Sequence, residues 1–242
     1  MSDAMRIQRA LARAGVASRR GAEELVAAGR VTVNGAVARV GQTVRPGADA
    51  IAVDGRPVGA QPSTVWYVLH KPAGVMTTKS DPQGRRTVYD LVPPAPGLVY
   101  VGRLDYLTEG VLLMTTDGTA AHALTHPRHE VERTYVATVR GDAPRAVVAA
   151  RGGVRLEDGT VQPRAVEARR LGGGQWAFEV TIAEGRKREV RRLCTALGLG
   201  VDRLVRTRFG PVELGALPSG QVRQLTPRER RAIDAIVAGA PA

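Results

Sequence analysis

The stretch Gly102–Gly118, GRLDYLTEGVLLMTTDG, sets one carboxylate, Asp105, between an Arg-Leu pair and a glycine-containing turn, ahead of the apolar run Val111-Leu112-Leu113-Met114. An apolar run this short, closed by Asp117-Gly118, reads as a buried strand. Thr108-Glu109-Gly110 then reads as a turn leading into it, and Asp105 stands on the rim of a sheet. There the carboxylate could be a surface charge, a metal ligand or a nucleophile.

The flanking segments predict what kind of sheet this is. VWYVLHKP (65–72) reads as a second buried strand stopped by Pro72. Tyr135, Ala137 and Val139 alternate with Thr134, Val136 and Thr138, and Trp176, Phe178, Val180 and Ile182 alternate more cleanly still. Between Lys187 and Leu197 the spacing of Val190, Leu193, Cys194 and Leu197 is helical, with Gly198 as the stop. Strands and helices without regular βαβ alternation predict an α+β fold, its sheet mixed and largely antiparallel and flanked by helices.

Ahead of this lies a different module, predicted over residues 1–54. Ile7, Ala10, Leu11 and Ala14 give one helix ending at Gly15; Ser18 can cap a second that ends at Gly29. VTVNGAVARV follows, a hairpin signal centred on Asn34-Gly35, and a further strand is expected over Ala50–Val53. Arg6, Arg9 and Arg13 are spaced along one side of the first helix, and Arg19, Arg20 and Arg30 flank the second. With only Glu23 and Glu24 interleaved, these arginines, with Ser18 and Asn34 beside them, form a candidate phosphate-facing surface. Residues 55–64 have a linker composition, so the larger domain is predicted over 65–242.

Composition narrows the function. A formal charge of +12 over 242 residues favours a polyanionic partner, with nucleic acid ahead of an anionic membrane. The single cysteine, Cys194, excludes an internal disulfide and a cysteine-based zinc cluster, and its leucine neighbours suggest a buried hydrophobe. No apolar run approaches the ~20 residues of a membrane span, and MSDAMRIQRA contains no signal core, so a cytoplasmic protein is expected.

There is no Walker loop and no dinucleotide-binding glycine pattern after a strand; Gly172-Gly173-Gly174 reads as a turn. The cluster His122, His126, His129 is the best metal candidate, but Pro127 interrupts helical presentation and no acidic or thiol ligand completes it, so no metal is expected. Asp105 and Glu109, four apart, would suit a glycosidase-like acid/base pair only on a helix. The alternative is one carboxylate served by other segments. A covered carboxylate needs a cation to stay ionised, and EGRKREVRRLC supplies Arg186, Arg188, Arg191 and Arg192. Tyr135 offers an aromatic platform, and the set would suit a flipped-out nucleotide.

Taken in order, RIQRALARAGVASRR, VLHKPAGVMTTKSDPQGRRTVYDLV, GRLDYLTEGVLLMTTDG, VERTYVATVRG, EGRKREVRRL and DRLVRTRFGPVELGALPSGQVRQLT resemble segments of one family. It is that of the bacterial ribosomal-RNA pseudouridine synthases of the RsuA/RluB group, and the resemblance runs from about Arg6 to Arg228. It implies a small ribosomal-protein-like RNA-binding domain followed by a pseudouridine synthase domain. It also implies isomerisation of a uridine in ribosomal RNA, more like the large-subunit (23S) enzymes than the small-subunit (16S) ones. By position, Asp105 matches the catalytic aspartate, Tyr135 the tyrosine that packs on the base, and Arg191 the basic residue that pairs with the aspartate. Arg103, Leu104, Arg186 and Arg188 are implied as substrate contacts. No cofactor is implied; the partner would be ribosomal RNA or a pre-ribosomal particle and the protein a monomer. Arg133 stands where lysine is common in the family, and Leu107 replaces a common polar residue. The competing reading is a non-catalytic ribosome-assembly factor that keeps the fold.

Overall fold

The computed structural model describes residues 4–59 and 64–239, which divide into two compact units. The first comprises the chain up to Trp66, with 94–99 and 115–118; the second is the remainder.

The N-terminal module runs β1 (Met5–Arg6), α1 (Ile7–Arg13), α2 (Arg19–Ala27), β2 (Val31–Val33), β3 (Ala36–Val37), β4 (Thr43–Val44), β5 (Ile51–Val53) and β6 (Arg56–Pro57). The apolar positions at helical spacing converge: Ile7, Ala10 and Leu11 of α1 and Ala22 and Val26 of α2 share one core with Val31, Val33, Val44 and Ile51. Ser18 caps α2, its hydroxyl accepting from the Gly21 amide at 3.0 Å. The turn between β2 and β3 holds Asn34 and Gly35 both at positive φ (51° and 82°), the geometry an Asn-Gly pair tolerates best. One expectation needs correction. Arg56–Pro57 pairs with Ala52 and Val53, so the start of the linker is instead the last strand of this module's sheet. Proline is tolerated there because β6 ends the strand order β3-β2-β5-β6. Of the expected linker, Ala60–Ser63 lies outside the described residues.

The second part of the chain contains β7 (Trp66–Lys71), β8 (Val99–Val101), β9 (Thr108–Thr115), α3 (Gly118–Thr125), β10 (Arg133–Arg140), α4 (Ala143–Arg151), β11 (Val154–Leu156), β12 (Gly159–Val161) and β13 (Ala165–Gly172). It continues with β14 (Gln175–Ile182), α5 (Glu189–Ala196), β15 (Gly200–Phe209), β16 (Val212–Glu213), β17 (Val222–Gln224) and α6 (Pro227–Ala238). Among the described residues, nine strands form one sheet in the order β13-β14-β10-β15-β9-β7-β17, with β8 on β9 and β16 on β15. β10 runs antiparallel to β14 and β15, whereas β9 and β15 pair in parallel, so the sheet is mixed.

That parallel junction corrects the reading of Thr108-Glu109-Gly110. These three are the opening residues of β9, in register with Leu204, Val205 and Arg206. A strand from a distant segment supplies the backbone partners that the local sequence could not announce. The inward residues of β10 and β14, including Ala137, Val139, Phe178, Val180 and Ile182, form the core with Ala143, Ala146 and Ala150 of α4 and Val190, Leu193 and Cys194 of α5. Burying one Phe-sized side chain contributes about 1.5–3 kcal/mol, so this seam is a substantial source of the unit's stability. Burial also pushes the Cys194 thiol up to about 12, which leaves it inert as a nucleophile.

Candidate active site

A cleft of about 340 Å³ opens where the first residues of β9 and β10 meet the last residues of β14 and β15, beside the N-terminal end of α5. Its lining includes Arg103, Asp105, Arg133, Tyr135, Arg186, Lys187, Arg188, Glu189, Arg191 and Arg206. Seven of these ten are cationic and two carry carboxyls, so the field in the cleft favours an anionic occupant.

Asp105 sits in the Leu104–Leu107 loop, and the backbone of this loop is tied at every carbonyl. Leu104 accepts from the Thr77 hydroxyl at 2.8 Å. The Asp105 carbonyl accepts from the Thr108 amide at 3.0 Å, and that of Tyr106 from the Gly74 amide at 2.9 Å. The Leu107 carbonyl accepts from Arg191 Nη2 at 3.1 Å. Beneath the loop, Lys71 is wholly buried, and Nζ donates to the carbonyls of Pro72 (2.9 Å), Tyr106 (3.3 Å) and Thr108 (2.9 Å). Three ammonium protons meet three acceptors. Burial lowers the Lys71 ammonium to about 8, opposed by the negative charges of Glu109 and Asp105. Sequence reasoning passed over Lys71. The available signal was a lysine that closes an otherwise apolar strand, Val68-Leu69-His70-Lys71.

Several expected roles change. Asp105 is exposed at the cleft mouth rather than covered, and among the described residues it has no ion pair. Arg191, half-buried on α5, holds the loop by its backbone carbonyl and does not salt-bridge the carboxylate. Leu104 is buried at 5% exposure and is not part of the cleft lining. Arg186 reaches the cleft, but its guanidinium is tied to Glu184 and to the carbonyls of Asp158 and Thr160. Arg192 grips Asp158 with two bonds of 2.8 Å, so both arginines clamp the β11–β12 hairpin. Arg103 and Arg188 are exposed lining residues; Arg188 holds a left-handed backbone (φ 51°) as it leads into α5.

Glu109 is not an acid/base partner. Arg203 takes both its oxygens at 2.8 Å, which holds this carboxyl below its ordinary range. On β10 and β15, Tyr135 and Arg206 are cross-strand neighbours, and Arg206 Nη1 donates to the Tyr135 hydroxyl at 3.4 Å. Arg206 is buried, as is Arg133, and the two guanidiniums lie 5.0 and 5.2 Å from the Phe209 ring centre. Glu189 is also buried; it accepts from the Arg186 amide, and desolvation raises its carboxyl above the ordinary value.

In the N-terminal module the candidate RNA-contacting residues separate into two kinds. Arg19 and Arg20 are exposed and form no ion pair among the described residues. Arg6 donates to the Gly41 carbonyl, Ser18 caps α2, Arg30 grips Asp54 with both prongs, and Asn34 bonds Asp49 and the Ala50 amide. Arg9 is half-buried, and Arg13 points one nitrogen at the Met5 sulfur at 4.0 Å.

The rings of His122, His126 and His129 lie 5.4 and 6.1 Å apart between centres, one pair tilted and the other edge-on, and Arg128 donates to His129. No group of three or more metal-ligating side chains is assembled among the described residues. Among them, too, no helix is long and apolar enough to cross a membrane.

Comparison with known proteins bears on what such a cleft does. The profile of the family described as RNA pseudouridylate synthase matches residues 65–196, and that of the S4 domain matches residues 5–49. A protein named as an uncharacterized RNA pseudouridine synthase of Mycobacterium leprae is 44% identical over 94% of this chain and 91% of its own length. The ribosomal large subunit pseudouridine synthase B of Bacillus subtilis is 40% identical over 96% of both chains. A crystal structure of a pseudouridylate synthase superposes with a TM-score of 0.65 and 27% identity, covering 95% of this chain and 99% of the other.

Proposed function

The chain belongs to the RNA pseudouridylate synthase family and is an RNA pseudouridine synthase, and from that premise we propose that it isomerises a uridine of large-subunit ribosomal RNA, with Asp105 as the catalytic carboxylate. The observation that carries the assignment of Asp105 is its seat. It is an exposed carboxylate on a cationic cleft, on a loop whose carbonyls from Leu104 to Thr108 are all held by donors. A group held this firmly costs little further ordering when substrate arrives. The target uridine leaves its stack and enters the cleft with its base against the Tyr135 ring. Asp105 then acts on the sugar, by attack on its first carbon or removal of the proton on its second. The base departs, turns, and returns through its carbon five. Arg191 keeps the loop in place through the Leu107 carbonyl. Exposed arginines of the S4 module, Arg19 and Arg20 foremost, bind RNA phosphates and choose the region by shape. The large-subunit preference rests on the Bacillus subtilis relative.

The test of Asp105 is Asp105→Asn, assayed by tritium release from ribosomal RNA labelled at uracil carbon five, with RNA affinity and thermal melting measured alongside. Release should vanish while affinity and melting stay at wild-type values; normal release would remove Asp105 from the mechanism. Mapping pseudouridines in both ribosomal RNAs, with and without the protein, tests the target. A site lost from small-subunit RNA alone would refute the large-subunit assignment.

A further inference from the structure

The floor of the cleft contains one cation with an unspent donor. Arg206 is 2% exposed; Nε donates to the Val111 carbonyl at 2.8 Å and Nη1 to the Tyr135 hydroxyl at 3.4 Å, while Nη2 is buried with no partner. No carboxylate forms an ion pair with it among the described residues. Arg133 is also buried, but its donors go to the carbonyls of Ala183, Glu184 and Leu124. A buried guanidinium with an idle nitrogen is costly to a fold unless something else uses it.

Its position is fixed by close packing. Arg206 pairs across the sheet with Tyr135 on one side and Gly110 on the other, and Gly110 lies five residues beyond Asp105. A Cβ on Gly110 would stand 2.1 Å from the Arg206 carbonyl oxygen, so β9 and β15 approach here as only glycine allows. The cation is thus held between the tyrosine that receives the base and the strand that carries the aspartate.

We propose that Arg206, through Nη2, binds the base of the target uridine and stabilises the negative charge the base acquires on leaving the sugar. This rests on the isomerase reading given above. Whichever way Asp105 acts, the C1′–N1 bond breaks with its electron pair going to the uracil, which becomes a monoanion spread over N1, O2 and O4. The anion then uses carbon five to form the C1′–C5 bond. As that bond forms, Asp105 is released from C1′ or returns the proton it took from C2′; the proton on carbon five is lost and one is gained at N1, so the isomer has the atoms and charge of the starting uridine. Throughout the free-anion stage a fixed guanidinium out of water is an effective counter-charge, and removing one such preorganised donor typically slows the reaction about 10²–10³-fold.

The test compares leaving groups. Ribosomal RNA transcripts are made with UTP or with 5-fluoro-UTP, whose base is more acidic and departs more readily. Single-turnover loss of the N-linked nucleoside is followed by digestion and mass spectrometry. Arg206→Gln should slow the uridine transcript about 10²–10³-fold with RNA affinity unchanged, and the defect should shrink at least about tenfold on the fluorinated transcript. An equal defect on both transcripts, or a wild-type rate on the uridine transcript, overturns the proposal. If Arg206→Gln does not fold, Arg206→Lys is read by the same ratio of defects. Asp105→Asn serves as the separate control. Full activity in that variant refutes the role of Asp105, whereas the leaving-group ratio reports on Arg206 alone.

Discussion

Replacing Lys71 by methionine isolates the mount beneath Asp105. The drop of the ammonium from 10.5 to about 8 on folding corresponds to a burial cost of about 3 kcal/mol. Methionine removes that cost, but it also strips the carbonyls of Pro72, Tyr106 and Thr108 of a charged donor. Leaving three carbonyls short by about 1–3 kcal/mol each outweighs the relief, so a net loss of about 3 kcal/mol is expected at pH 7.5. The pH dependence is more diagnostic. Below pH 8 the lysine is protonated both folded and unfolded, and its burial cost is present in full. As pH rises from 8 toward 10.5, the folded chain gives up the proton while the unfolded chain keeps it, so wild-type stability rises relative to Lys71→Met. By pH 9.5 that relative gain amounts to about 2 kcal/mol. Urea denaturation of both proteins at pH 7.5, 8.5 and 9.5 measures it. Stability curves that run parallel across this range would refute the reasoning.

Two further outcomes follow from single positions. Gly110→Ala forces a side chain against the Arg206 backbone at a φ of 109°; strain and overpacking together should cost about 4 kcal/mol, seen as a fall in melting temperature of roughly 10 °C. A melting point unchanged within about 2 °C would show that β9 and β15 can separate at no cost. In the S4 module, Arg19→Ala and Arg20→Ala should each weaken binding to ribosomal RNA and reduce the logarithmic salt slope by about one, as read by fluorescence anisotropy across a potassium chloride series. An unchanged slope would place those two side chains away from phosphate.

Features fixed by neighbours in sequence were legible before any coordinates. The Asn34-Gly35 turn, the Ser18 cap, the Gly15 and Gly29 stops and the alternation in β14 all depend on contacts a few residues apart. What escaped depends on partners far away. Helix α3 consists largely of Ala and Thr, and α6 opens on the Thr226 and Glu229 capping box with Pro227 in its first turn. In the site, the ordered motifs pointed to Asp105, Tyr135 and Arg191 as the catalytic set, and the structure brings the three to one cleft. Arg191 does not form the expected ion pair with Asp105; its Nη2 is taken by the Leu107 carbonyl, and sequence spacing cannot tell which acceptor on a loop a guanidinium will reach. Lys71 and Arg206 lay within strand patterns, where a long cation reads as an interruption instead of a buried prop. Only the register that brings Arg206 beside Gly110 shows where it sits.

The union of β9 with β15 also has a meaning in time. The aspartate is translated well before the strand that aligns its loop, since Arg206 reaches across 95 positions to the Val111 carbonyl. The S4 module, by contrast, closes its core entirely within the first sixty positions. On an emerging chain the core of the N-terminal module is therefore complete early, while the proposed reactive seat waits for the last quarter to be synthesised. Holding RNA and altering it are separated by the order of synthesis.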